Sequence, residues 1–250
     1  MRLVPPAATL LAAAMFPLGL AACTSGAAPA GPPAVSQPAA PPATAPATPS
    51  AARTTANPDA GLLTGAQLKG LLEPASYFPP GYRRQRAGTR NTGTGYELPS
   101  AAGVRKPKCR LLGATSWTSI TGINGVSFAQ DDYIDKTRST EIAQEIDEYP
   151  GTTARAVTRR LGAISALCPS YTDPQTGSRA EVREQASPRL GEGGYVITVT
   201  DPAWRGGTTL VAARVGTAVV TVMSTDGTDN GRASAVKLAR ALVAVLRGMT

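Results

Sequence analysis

Apolar and polar positions alternate with a period of two over several stretches of this chain, and with helical spacing over three others. From Gly125 to Ile134, Val126, Phe128 and Ile134 fall on one face, which predicts a strand. From Thr140 to Tyr149, Ile142 and Ile146 share one face while Glu141, Glu145 and Asp147 share the other, predicting a second strand with one wet face. Gly151 ends it. Thr152 or Thr153 then caps a helix running through Cys168, with Val157, Leu161, Ile164 and Leu167 at helical spacing. Val-rich alternation predicts strands over Gly194–Thr200, Thr208–Val215 and Ala218–Ser224, preceded by a weaker one over Arg179–Gln185. Gly216-Thr217 is a tight hairpin connection, and Asp201–Gly207 a longer one.

Two helices bracket these elements. At Thr64 a capping box with Gln67 opens a short amphipathic helix carrying Leu68, Leu71 and Leu72 on one face, and Pro74 ends it. The last helix starts at a cap on Asp229 or Asn230 and reaches Arg247, with Val236, Ala239, Leu242, Val243 and Leu246 as its buried stripe. Residues 79–108, rich in Gly, Pro, Arg and Thr, read as a long loop with a strand near Tyr96–Leu98. Antiparallel strands between helices imply an α+β fold, an antiparallel sheet with helices packed on one face.

The beginning of the chain changes the picture. Arg2 followed by the apolar run Leu10–Leu20 has the layout of a secretory signal, and Leu20-Ala-Ala-Cys23 is a lipobox. Residues 1–22 are therefore expected to be a lipoprotein signal peptide and Cys23 the lipidated residue. Two acyl chains would anchor the mature protein in the cell membrane on its extracellular face. Residues 23–60 are nearly all Ala, Pro, Thr, Ser and Gly after the cysteine, which predicts a disordered, semi-extended stalk. Residues 61–250 are long enough for one domain with a sizeable core.

Charge and cysteines narrow the class further. The formal net charge is +8, with Arg83, Arg84, Arg86 and Arg90 forming one basic group and Arg105, Lys106, Lys108 and Arg110 another. These groups read first as a solvated face; as a partner surface on an exported protein they would suit anionic lipid head groups or acidic wall polymers rather than nucleic acid. Beyond Cys23 there are two cysteines, Cys109 and Cys168. In an oxidising compartment that pair reads as one disulfide stapling the domain, closing a loop that contributes about 4 kcal/mol in the chain-entropy model.

Catalytic chemistry is sparse. The chain has no histidine, which removes the Ser-His-Asp and Cys-His arrangements and the usual metal ligand sets; no metal or other cofactor is expected. Ser234-Ala-Val-Lys237 matches S-x-x-K, but K-T-G is missing, and Asp226–Gly231 reads as a hairpin-to-helix turn. Asp131, Asp132 and Asp135, with Glu141, Glu145, Asp147 and Glu148, are expected to solvate strand faces. Were they instead to converge across a cleft, they could serve a hydrolase acting on wall or lipid substrates. Trp117, Tyr133, Tyr195 and Trp204 lie in or beside predicted strands, where they either pack in the core, the default for such residues, or line a ligand cleft.

Lipobox, Pro/Ala stalk, an opening helix with Leu62, Leu63, Leu68, Leu71 and Leu72, a cysteine near the first core strands, a helix ending in Leu167-Cys168, an antiparallel run and a closing helix follow in that order. This arrangement resembles the extracellular sensor domains of actinobacterial Ser/Thr kinases of the PknH type, and the free lipoproteins that share that domain. Members often carry a second disulfide, for which this chain has no cysteines. The resemblance implies a non-catalytic domain that binds a small molecule, lipid or wall-derived ligand in a cleft. A signal would then pass through a membrane-protein partner or a wall polymer.

Overall fold

Thr208–Val215 (β7) serves two cores at once. Val211, Ala213 and Val215 face one side and Leu210 and Ala212 the other, as the pleat of a strand requires. The structure, a computed structural model, describes residues 61–99, 106–113 and 120–249, all within a compact unit spanning Arg53–Thr250. The expected leader and stalk, Cys23 and Trp117 lie outside the described residues.

The other strands are Arg83–Asn91 (β1), Ser127–Asp135 (β2), Thr140–Glu148 (β3), Ser170–Thr172 (β4), Arg179–Ala186 (β5), Gly194–Thr200 (β6) and Ala218–Ser224 (β8). They form one sheet in the order β1-β2-β3-β8-β7-β6-β5-β4, with every neighbouring pair antiparallel. Gly216 turns β7 into β8 at a φ of 57°, a left-handed conformation that glycine adopts without steric cost. The α+β class holds, and the expected disulfide joins Cys109 to Cys168 within the single domain.

The helices do not share a face. Gly65–Lys69 (α1) and Arg232–Arg247 (α4) cover one side, where Leu68, Leu238 and Leu242 pack on Ile146, Val211 and Val220. Thr153–Leu161 (α2) and Ile164–Leu167 (α3) cover the other, where Val157, Leu161 and Ile164 meet Leu210, Ala212 and Val219. Each fully buried leucine contributes about 2 kcal/mol. The central strands are apolar on both sides of the pleat, so a single helical layer would have left Leu210 and Val219 wet.

Local chemistry sets the helix bounds. At α1 the capping box is complete: Thr64 N–H donates to Gln67 Oε1 at 2.8 Å and Gln67 N–H to Thr64 Oγ1 at 3.4 Å. The helix expected from 152 to 168 is broken at Gly162, which lies against Tyr195 of β6 so closely that a Cβ would overlap the ring. At the last helix, Gly231 occupies the cap while Asp229 still accepts from Ala233 N–H at 2.8 Å.

Because the strands alternate in direction, four turns gather at one end of the sheet. These are the β2–β3 turn, the β4–β5 turn, the β6–β7 connection and the β8–α4 turn.

Candidate functional site

Asp173 follows β4 directly and organises that end of the sheet. Its Oδ1 accepts from Gln175 N–H at 3.0 Å, closing a turn on its own chain. Its Oδ2 accepts from Thr176 Oγ1 at 3.0 Å and from the Trp204 indole Nε1–H at 2.9 Å. The backbone bond from Gln175 and the indole bond hold the Asp173 carboxyl below its ordinary range, keeping it ionised. Trp204 sits on the β6–β7 connection, so this one contact ties two of the four turns together. Asp201 fixes the same connection by accepting from Ala203 N–H at 2.8 Å and from Ser178 Oγ at 2.5 Å.

These turns enclose an open cleft of about 670 Å³. Trp204 and Tyr171 supply its aromatic surfaces, and Arg110, Arg138 and Arg205 its charge. Arg138 is already occupied: its Nε–H donates to Asp135 Oδ2 at 2.7 Å and its second terminal nitrogen to the Pro80 carbonyl at 3.2 Å. Arg110 and Arg205 are exposed and make no hydrogen bond or ion pair with the described residues. Arg110 owes its place to its neighbour, since Cys109 begins a 3₁₀ turn (Cys109–Gly113) bridged to Cys168, just ahead of β4.

Of the four aromatic residues expected in a cleft, the structure places only Trp204 there. Tyr133 is a core residue, 1% exposed, stacked on Phe78 with ring centroids 3.8 Å apart. Its hydroxyl accepts from Arg84 at 2.9 Å. Tyr195 packs beneath Gly162, and Trp117 is outside the described residues. Tyr171 and the two free arginines were not singled out as ligand contacts. They are far apart in sequence, and only the antiparallel topology brings them to one end.

The acidic strand residues do not solvate open faces; Asp131, Asp132, Asp135, Glu145, Asp147 and Glu148 are all buried. β2 and β3 are covered on both faces, and several of these carboxyls have found partners. Arg84 pairs with Asp131 at 3.2 Å, Gln130 donates to Asp132 at 2.8 Å, and Thr137 and Arg138 hold the Asp135 carboxyl far below its ordinary range. Burial, then the adjacent Glu145 carboxylate, pushes Asp147 well above its ordinary range. Burial also raises Glu148 to about 7. None of these lines the cleft, where Asp173 is the one acidic side chain among the described residues. The paired-carboxylate arrangement that hydrolysis needs is therefore not assembled from them at this cleft.

Ser234 donates to Asp226 Oδ2 at 2.9 Å, while Lys237 lies 5.4 Å from the Tyr77 ring centroid, so the S-x-x-K pair serves packing at the start of α4. Among the described residues no three His, Cys, Asp or Glu side chains come together to hold a metal ion. No helix among them is long and apolar enough to cross a membrane. No protein-family model matches the chain, and no curated protein does.

Proposed function

We propose that this protein is a surface-exposed lipoprotein, anchored through Cys23, whose domain binds a ligand in the cleft around Trp204 without transforming it. The carrying observation is the cleft itself: about 670 Å³, within the range of small-molecule sites, with its aromatic platform held by the Asp173–Trp204 hydrogen bond. A rigid platform lowers the ordering cost of binding, because the side chain loses little freedom when a ligand arrives. The lipobox and the Pro/Ala-rich segment behind it support placement outside the cell, where a disulfide persists. The resemblance to kinase-linked sensor domains supports a binding role, with any signal passed on by a membrane-protein partner or through wall polymer.

The test is native mass spectrometry of the intact protein, extracted from its own host in mild detergent. A discrete added mass on the wild type that is lost from Trp204→Ala supports the reading. Equal added mass on both proteins, or none on either, contradicts it.

A further inference from the structure

Resting on that cleft reading, we infer that the cleft takes a phosphorylated sugar or cyclitol, with its ring against Trp204 and its phosphate between Arg110 and Arg205. The lining decides the class. Among the described residues around the cleft there is no Leu, Ile, Val, Met or Phe, so nothing there would shelter an acyl chain. A lipid could offer only its head group. Arg138 is neutralised by Asp135, and the two remaining guanidiniums, which have no partner among the described residues, outnumber the Asp173 carboxylate and favour an anionic ligand.

Guanidinium is the protein group best matched to phosphate, since its planar fork gives two parallel hydrogen bonds to one oxyanion. Arg110 and Arg205 reach the cleft from different segments, one fixed by the disulfide and one directly following Trp204. A phosphate between them would use charge that otherwise stays solvated. The indole's polar edge is spent on Asp173 and the ring is half-buried against the core, which leaves its cleft-facing surface for a ligand ring. A ring presents C–H groups to such a face and hydroxyls at its rim. Ser139 and Gln175 also line the cleft, and their side chains make no hydrogen bond with the described residues. They supply donors and acceptors for those hydroxyls.

The experiment uses the intact protein in detergent with Trp117→Phe, which leaves Trp204 the sole indole of the two. Its fluorescence is followed during titration with glucose 1-phosphate, glucose and inorganic phosphate, and with vesicles of phosphatidylinositol or of phosphatidylcholine. The inference expects glucose 1-phosphate to give a saturable change and to bind at least ~10-fold tighter than glucose. Arg110→Ala and Arg205→Ala should each weaken it by about 10-fold, with the Lys variants in between. Both arginines are exposed, so these variants should fold. A response to phosphatidylinositol but not phosphatidylcholine vesicles assigns the source as a lipid head group. A response confined to the soluble sugar phosphate assigns a wall-derived or free one. Either supports the chemistry. Equal binding of glucose, indifference to both arginine substitutions, or no saturable response overturns it. If a neutral mass is still retained by the wild type and lost from Trp204→Ala, the cleft reading survives while the phosphosugar inference falls.

Discussion

Trp204 Nε1–H donates to Asp173 Oδ2 at 2.9 Å, and this bond joins the turn after β4 to the connection between β6 and β7. The two residues are 31 apart in sequence, so the bond fixes the cleft's shape as well as one ring. Asp173→Ala removes the acceptor that Gln175, Thr176 and the Trp204 indole share, and leaves the half-buried indole N–H without its protein partner, so the domain should be less stable. In the Trp117→Phe background, the anisotropy of Trp204 emission should fall as the indole is released. Unchanged anisotropy would mean that packing alone holds the ring.

The disulfide has a comparable double role. Cys109 and Cys168 are 59 residues apart, and Cys109 sits directly before the cleft residue Arg110. Replacing both cysteines by alanine should cost about 4 kcal/mol, lowering Tm by ~10 °C. Calorimetry checks the stability. A glucose 1-phosphate titration of the folded variant at low temperature should show weaker binding. Loss of stability with no loss of binding would separate the staple from the cleft.

Stability should fall as pH rises from about 4.5 to about 7, the reverse of the usual carboxylate pattern. Burial raises Glu148 from 4.5 to about 7, so the folded state holds a proton that the unfolded state has released. The penalty is absent below the unfolded value and grows to roughly 3 kcal/mol as pH passes the folded one. Asp147, raised by burial and by Glu145, acts in the same direction. Asp135 and Asp173 are lowered, so their contribution is lost only on acidification below their ordinary value of 3.8. Thermal unfolding at about pH 5 and about pH 8 should show the higher Tm at the acid value. Glu148→Gln should narrow that difference without abolishing it, because the raised Asp147 acts in the same direction. A wild type more stable at the alkaline value would refute the assignment.

Gly162 is required by contact, since its φ of −70° suits any residue but a Cβ there would overlap the Tyr195 ring. Gly162→Ala should therefore destabilise by about 2 kcal/mol in the wild type through overpacking. In a Tyr195→Ala background the same change should be neutral or stabilising by up to ~1 kcal/mol, as alanine fits this backbone and restricts the unfolded chain. Equal effects in both backgrounds would remove the ring as the cause.

These particulars show where sequence reading succeeded. Strands β2, β3 and β5–β8 and the two flanking helices were legible because each buries at least one face of a regular period. β1 was not, since Arg83–Asn91 is an arginine-rich edge strand with no apolar alternation, held by its ladder to β2 through a register irregularity. The strand expected near Tyr96–Leu98 is absent; Leu98 is 93% exposed, and Glu97 N–H donates to the Val126 carbonyl at 2.6 Å. The wet face assigned to β3 failed for a different reason. Periodicity tells which residues share a face but not whether a second layer covers it, and here Asp147 and Glu145 are buried beside each other.

The cleft was half legible. Trp204 stood out as one of two tryptophans, and Arg110 as part of a basic group. Their convergence with Tyr171 and Arg205 depends on strand order, which local patterns do not encode.

Hydrogen–deuterium exchange of the protein as purified from its host, before and after a high-salt wash that strips anions, tests the ligand cleft most directly. The account predicts that the wash increases exchange in segments 138–140, 171–175, 204–208 and 225–227, with the rest of the sheet unchanged. Unchanged exchange in those four segments, or a change confined to another surface such as β1, would contradict it.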